Sequence, residues 1–168
     1  MHATPGTRLT ALALLVTATT TATGAHPAPA RAADSLPTKR VLTLAAAARV
    51  AAAAEAEAVR RGATVVIAIV DDGGALVLLH RLDDTQVASV EVGIGKARTA
   101  AIFRRPSKDF EDQVRSGRVA AVALPGATPL QGGIPLTADG AVVGAIGVSG
   151  NTPQEDEDIA KAGAAALE

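Results

Sequence analysis

Cysteine is absent from the 168-residue chain, and with it every chemistry that needs a thiolate: c-type haem attachment, a cysteine-ligated iron–sulfur cluster and a cysteine nucleophile. Disulfides are excluded as well, so any stability has to come from a packed core. Tryptophan and tyrosine are missing, and Phe103 and Phe110 are the only aromatics, which leaves no stacking platform for single-stranded nucleic acid. A basic excess is lacking too, since 16 Lys and Arg face 17 Asp and Glu. That balance excludes a general nucleic-acid or anionic-membrane surface. Histidine is scarce: His2, His26 and His80 are all there are. The chain also lacks a Gly-x-Ser-x-Gly elbow, a His-Glu-x-x-His pair and a Walker loop, so the usual hydrolase and nucleotide-triphosphatase machinery is not present.

What is there begins with an export signal over residues 1–32. Arg8 supplies a basic start, Leu9 to Val16 an apolar run, and Ala30-Arg31-Ala32 a small-x-small cleavage pattern, with Thr23-Gly24-Ala25 as an earlier alternative. The run is too short for a permanent bilayer anchor, which needs roughly 20 apolar residues. Cleavage after Ala32 leaves 14 basic against 17 acidic residues, a net charge of −3, and only His80 among the histidines. The expectation is an exported protein, extracellular or periplasmic, with a connector over 33–41 and one domain over 42–168.

Within that domain, Thr43 precedes an alanine-rich run that predicts a helix over 44–61, stopped by Gly62, with Leu44, Ala48, Ala51, Ala52 and Ala58 as its buried stripe. The β-branched run 64–70, the turn Asp71-Asp72-Gly73-Gly74 and the apolar run 75–82 predict a hairpin. Strict alternation puts Leu76, Leu78, His80 and Leu82 on one face of its second strand and Val77, Leu79 and Arg81 on the other. A helix follows over 86–103, and its Gly93 and Gly95 point to close approach by a neighbour or a ligand. Next come a short helix over 107–115 with Ser107 as a cap, an extended stretch over 119–124, a hairpin of 134–137 and 141–148, and a last helix opened by Thr152-Pro153-Gln154-Glu155. Two hairpins separated by helices predict an α+β fold with an antiparallel sheet of about five strands.

Candidate chemistry is sparse. Asp71-Asp72 and Asp83-Asp84 are carboxylate pairs in expected turns, where Asp is a preferred turn residue. His80 is either an iron ligand or a structural histidine at a strand end. Seven of the 14 basic residues left after cleavage fall between Lys96 and Arg118, either a solvated helical face or a rim for anionic groups.

The ordered series Ile69-Val70-Asp71 with Gly73-Gly74, Arg81-Leu82-Asp83, Lys96-Ala97-Arg98-Thr99-Ala100, Arg105-Pro106-Ser107, Leu124-Pro125-Gly126, Gly132-Gly133-Ile134-Pro135 and Gly144-Ala145-Ile146-Gly147-Val148-Ser149-Gly150 resembles the GlcG/HbpS-type haem-binding family, also called the haem-degrading domain family. The resemblance runs over about residues 42–167. It implies a profilin-like sheet with flanking helices, a homo-oligomer, non-covalent haem and a role in haem scavenging or extracellular sensing beside a membrane sensor's ectodomain. In one secreted haem-binding member of the family a threonine follows the Pro-Gly directly; here Ala127 intervenes and Thr128 comes next. On this resemblance His80, Arg81, Lys96, Arg98 and Thr128 are the candidate haem contacts. No residue set suggests an oxygenase site, so no catalytic residue is assigned. The other reading of the residues is a binding module for a small non-haem ligand, or an oligomeric sensor accessory.

Overall fold

The computed structural model describes residues 36–167 and His2. The expected signal, apart from His2, and residues 33–35 of the connector, and with them Arg8, His26 and the cleavage patterns, lie outside the described residues. The domain occupies Thr38–Glu168. Among the described residues, no helix is long and apolar enough to cross a membrane.

The first helix, α1 (Leu44–Arg61), forms where alanine propensity predicts it. Thr43 Oγ1 accepts from the Ala46 amide, and Gly62, at φ 66°, takes the left-handed turn that closes the helix without a Cβ penalty. Its buried stripe is Ala47, Val50, Ala51, Ala54 and Ala58. The expected stripe is thus rotated: Leu44 is 62% exposed, and Ala48 and Ala52 also face outward. With alanine on every side, the residue types alone carry little information about which face turns inward.

Strands β1 (Val66–Asp71) and β2 (Leu76–Arg81) form the first hairpin, and β3 (Gly133–Ala138) and β4 (Ala141–Ser149) the second. They join in one antiparallel sheet of order β2-β1-β4-β3. The sheet has four strands rather than five. The residues expected to extend over 119–124 instead form a 3-10 helix, Val119–Ala123, packed beside α3 (Lys108–Arg115). It closes its own turn through Ala121 N to Arg118 O and pairs with no strand among the described residues.

The simple alternation in β2 also fails, because a bulge at Ile69/Val70 breaks the register. Leu78 and His80 lie opposite Ile69 and Ile67, Val77 joins Leu78 in the core against α1, and Leu76 lies opposite Val70. Leu79 and Arg81, opposite Ala68 and Val66, keep the other face.

Helices cover both faces. On one, α1 and α4 (Pro153–Ala165) bury Ile67, Ile69, Leu136, Ile146, Val148 and Ile159. On the other, α2 (Ser89–Phe103) covers Val66, Ala68, Val70 and Ala145 with Ala97, Ala100 and Ala101. The start of α4 follows its sequence signal: Thr152 Oγ1 accepts from the Glu155 amide, and Glu155 reaches back to the Thr152 amide. Ser107 departs from its expected capping role. Its Oγ donates to Leu130 O at 2.6 Å and accepts from Gly133 N at 2.8 Å, pinning the loop before β3 to the start of α3.

Candidate functional site

Helix α2 lies unusually close to the sheet, and glycine is the reason. A Cβ on Gly147 of β4 would run into the Gly93 carbonyl and the Ala97 amide of α2, and one on Gly133 of β3 into the Lys96 carbonyl. Gly93 itself would meet Val66 Cγ1 at 3.2 Å. The neighbour implied by Gly93 is therefore the sheet. The one implied by Gly95 is Thr128, whose hydroxyl occupies the space a Cβ there would need.

This close seating carries Lys96 inward. Its side chain, 4% exposed, passes the end of β3 and donates to Val148 O at 3.0 Å and Asp156 Oδ2 at 2.7 Å. Asp156, in the first turn of α4, also accepts from the Asn151 amide at 3.0 Å. One ion pair thus ties the helix on one face to a helix on the other. Burial pushes the Asp156 carboxyl above its ordinary value, and the Lys96 ammonium pulls it part of the way back. Lys96 is therefore not available as a rim cation, because its ammonium is already committed inside the fold.

The other four candidates separate. Arg98 is exposed on α2; its Nε donates to Gly74 O at 3.1 Å, and its terminal nitrogens have no hydrogen-bond partner among the described residues. Thr128 sits one helical turn away: Thr99 Oγ1 donates to Gly95 O at 2.7 Å and accepts from the Thr128 amide at 2.7 Å, fixing the loop against α2. Arg81 donates to Thr85 O at 2.8 Å and lines a cleft of ≈280 Å³ with Leu82, Asp83 and Asp84, whose carboxylates oppose an anionic ligand.

His80 stands on the opposite side of the sheet, toward α1. Its Nδ1 lies 2.7 Å from Glu55 Oε2, and its side chain is 35% exposed. A carboxylate can only accept, so in the neutral ring Nδ1 carries the proton and Nε2 is left with a free lone pair. Arg98 on α2 and Thr128 in the loop packed against α2 thus lie on one side of the sheet, whereas His80 cannot join them around one ligand on a single copy because the sheet intervenes. Clefts of ≈520 Å³ and ≈370 Å³ open between Arg40, Ala138 and Leu167, and none of the five candidates lines them. Among the described residues, no three His, Cys, Asp or Glu side chains converge as a metal-ion cluster.

Glu55, Thr99 and Asp156 escaped the sequence reading. Glu55 breaks an otherwise apolar stretch of α1 and Thr99 lies inside the Lys96–Ala100 string, but the partner of each is distant in sequence.

Fold and site define an α+β domain in which one four-stranded antiparallel sheet is clothed by helices on both sides, with a partly exposed imidazole on one face and an exposed guanidinium on the other. The chain belongs to the HbpS-like family: the family model described as haem degrading protein HbpS-like matches residues 42–165. It is 46% identical over 86 residues to Protein GlcG of Escherichia coli strain K12, a match spanning 51% of this chain and 64% of GlcG. The crystal structure of a double mutant of Streptomyces reticuli HbpS superposes with a TM-score of 0.75 at 35% identity, covering 86% of this chain and 98% of that one. The crystal structure of a PduOC:haem complex superposes with a TM-score of 0.69 at 27% identity, covering 76% and 95%.

Proposed function

We propose that this chain is an exported haem-binding protein that takes haem non-covalently, with His80 Nε2 as the iron contact. The observation that carries the reading is the state of His80: partly exposed, with one ring nitrogen anchored by Glu55 and no hydrogen-bond partner for the other among the described residues. That is how iron-ligating imidazoles are commonly held, with the second nitrogen donating to a carboxylate. The donor chemistry fits haem, for which a neutral imidazole is a standard axial ligand. Bound haem would supply an iron centre that cycles between ferric and ferrous states. Arg98 is the side chain suited to a propionate, through its unpaired terminal N–H groups.

Because His80 and Arg98 lie on opposite faces of the sheet, a haem that touches both is shared between two copies, in keeping with a homo-oligomer. Export is supported by the basic start, apolar run and Ala30-Arg31-Ala32 pattern of residues 1–32. The role that follows is haem scavenging or extracellular sensing.

A visible absorption titration of haemin into the purified chain beginning at Ala33 tests the reading. A saturable Soret shift that is lost in His80→Ala and kept in Thr128→Ala is the expected result. Absence of a saturable shift in the unaltered protein overturns it in favour of a non-haem ligand module, and loss in Thr128→Ala alone moves the iron contact to the α2 face.

A further inference from the structure

The two acidic residues of α1 have different surroundings. Glu57 is held by the two arginines at the end of the helix, with Arg60 Nη2 at 2.6 Å and Arg61 Nε at 2.5 Å. Glu55, two residues earlier, has no cationic lysine or arginine partner among the described residues, and its single hydrogen bond goes to His80 across 25 residues of chain. It is flanked by Ala54 and Ala56, and its carboxylate makes no other hydrogen bond or ion pair among the described residues. A pair this exposed is screened by solvent and adds too little to stability for holding α1 to β2 to be its main effect. What it does decide is the imidazole. In the neutral ring the carboxylate accepts the hydrogen bond from Nδ1–H, which fixes the tautomer and leaves the Nε2 lone pair free.

We propose that Glu55 is a positioning residue for His80, setting the tautomer and the donor strength with which Nε2 meets haem iron. This rests on the reading of His80 as the iron contact. A carboxylate on the far ring nitrogen gives imidazole part of the character of an imidazolate, which favours ferric over ferrous iron and tightens ligation. Carboxylates in this position typically change metal affinity by about 10–100-fold.

The test separates the two levels. In the haem-free protein, nitrogen-15 NMR of His80 reports the tautomer directly: the Nδ1–H form is expected to dominate in the unaltered chain and in Glu55→Gln, whose amide oxygen still accepts, and the Nε2–H form to rise in Glu55→Ala. After loading with haemin, Glu55→Ala is expected to bind about 10–100-fold more weakly, and Glu55→Gln to hold haem at a raised reduction potential because the charge is gone. Both variants are expected to keep the far-ultraviolet circular dichroism of the parent. If His80→Ala binds haemin as tightly as the parent, the iron contact lies elsewhere and the role of Glu55 falls with it. If His80→Ala loses haem while both Glu55 variants leave tautomer, affinity and potential unmoved, the reading of His80 stands and the one made here is overturned.

Discussion

The two faces of the sheet solve the same packing problem by opposite means. Against α1 and α4 the sheet presents Ile67, Ile69, Ile146 and Val148, joined by Leu136 and Ile159, and the layers are held apart by filled volume. Against α2 it presents Val66, Ala68, Val70, Ala145 and the bare backbone of Gly147, so the helix sinks until peptide groups nearly touch. The first face draws its stability from apolar area removed from water, the second from close contact with little area and one buried ion pair. Side-chain deletions should therefore hurt one face, and added atoms the other.

The largest effect is expected at the pair that joins the faces. Lys96→Ala strands the Asp156 carboxylate in the interior and should cost about 3–5 kcal/mol in urea unfolding, whereas Lys96→Met with Asp156→Leu should recover most of that loss. A single variant as stable as the parent would mean the pair is not what couples the helices. Neighbouring positions on β4 then separate the two packing modes. Ile146→Ala, a cavity on the volume-filled side, should cost about 2–5 kcal/mol. Gly147→Ala, which adds one methyl against the α2 backbone, should cost about 1–3 kcal/mol although it removes nothing. A neutral Gly147→Ala would show that α2 can lift, and would erase the distinction between the faces.

Smaller effects sharpen the edges of the comparison. Thr152→Ala removes the cap of α4 and should cost about 1 kcal/mol by the same measurement. Two carboxyls shift in opposite directions with pH. Hydrogen bonds from Arg60 and Arg61 lower Glu57 from 4.5 to about 2, so its contribution is complete above pH 4.5 and fades as pH falls toward 2. Asp156 is raised by burial, so its folded form takes up a proton more readily than the unfolded one, and its contribution diminishes as pH climbs through that raised value. Carbon-13 NMR titration of the two carboxyls should place Glu57 below the ordinary carboxylate range and Asp156 above it; the reverse order would contradict the packing described for both helices.

Local signals were legible wherever one short stretch of chain holds both partners. The caps at Thr43 and Thr152, the stop at Gly62, both hairpin turns and the break after Phe103 are set by residues at most a few positions apart, and each appears where the sequence places it. The family series could be read for the same reason, as an ordered string of such local pieces. What misled was uniformity: in α1 alanine faces every direction, and at 119–124 valine and alanine suit a strand as well as the 3-10 turn that forms.

By itself, then, the sequence determined the fold class, the helices and hairpins, the lack of thiol chemistry and the scarcity of imidazole to a single histidine outside the expected signal. Only the tertiary structure decided that Lys96 is an interior bolt rather than a surface cation, that His80 and Arg98 face opposite ways, and that Glu55 is the group behind His80. The physical reason is separation along the chain: 60 residues divide Lys96 from Asp156 and 25 divide Glu55 from His80, and pairing over such distances depends on sheet order and on one bulge in register, which no local pattern encodes.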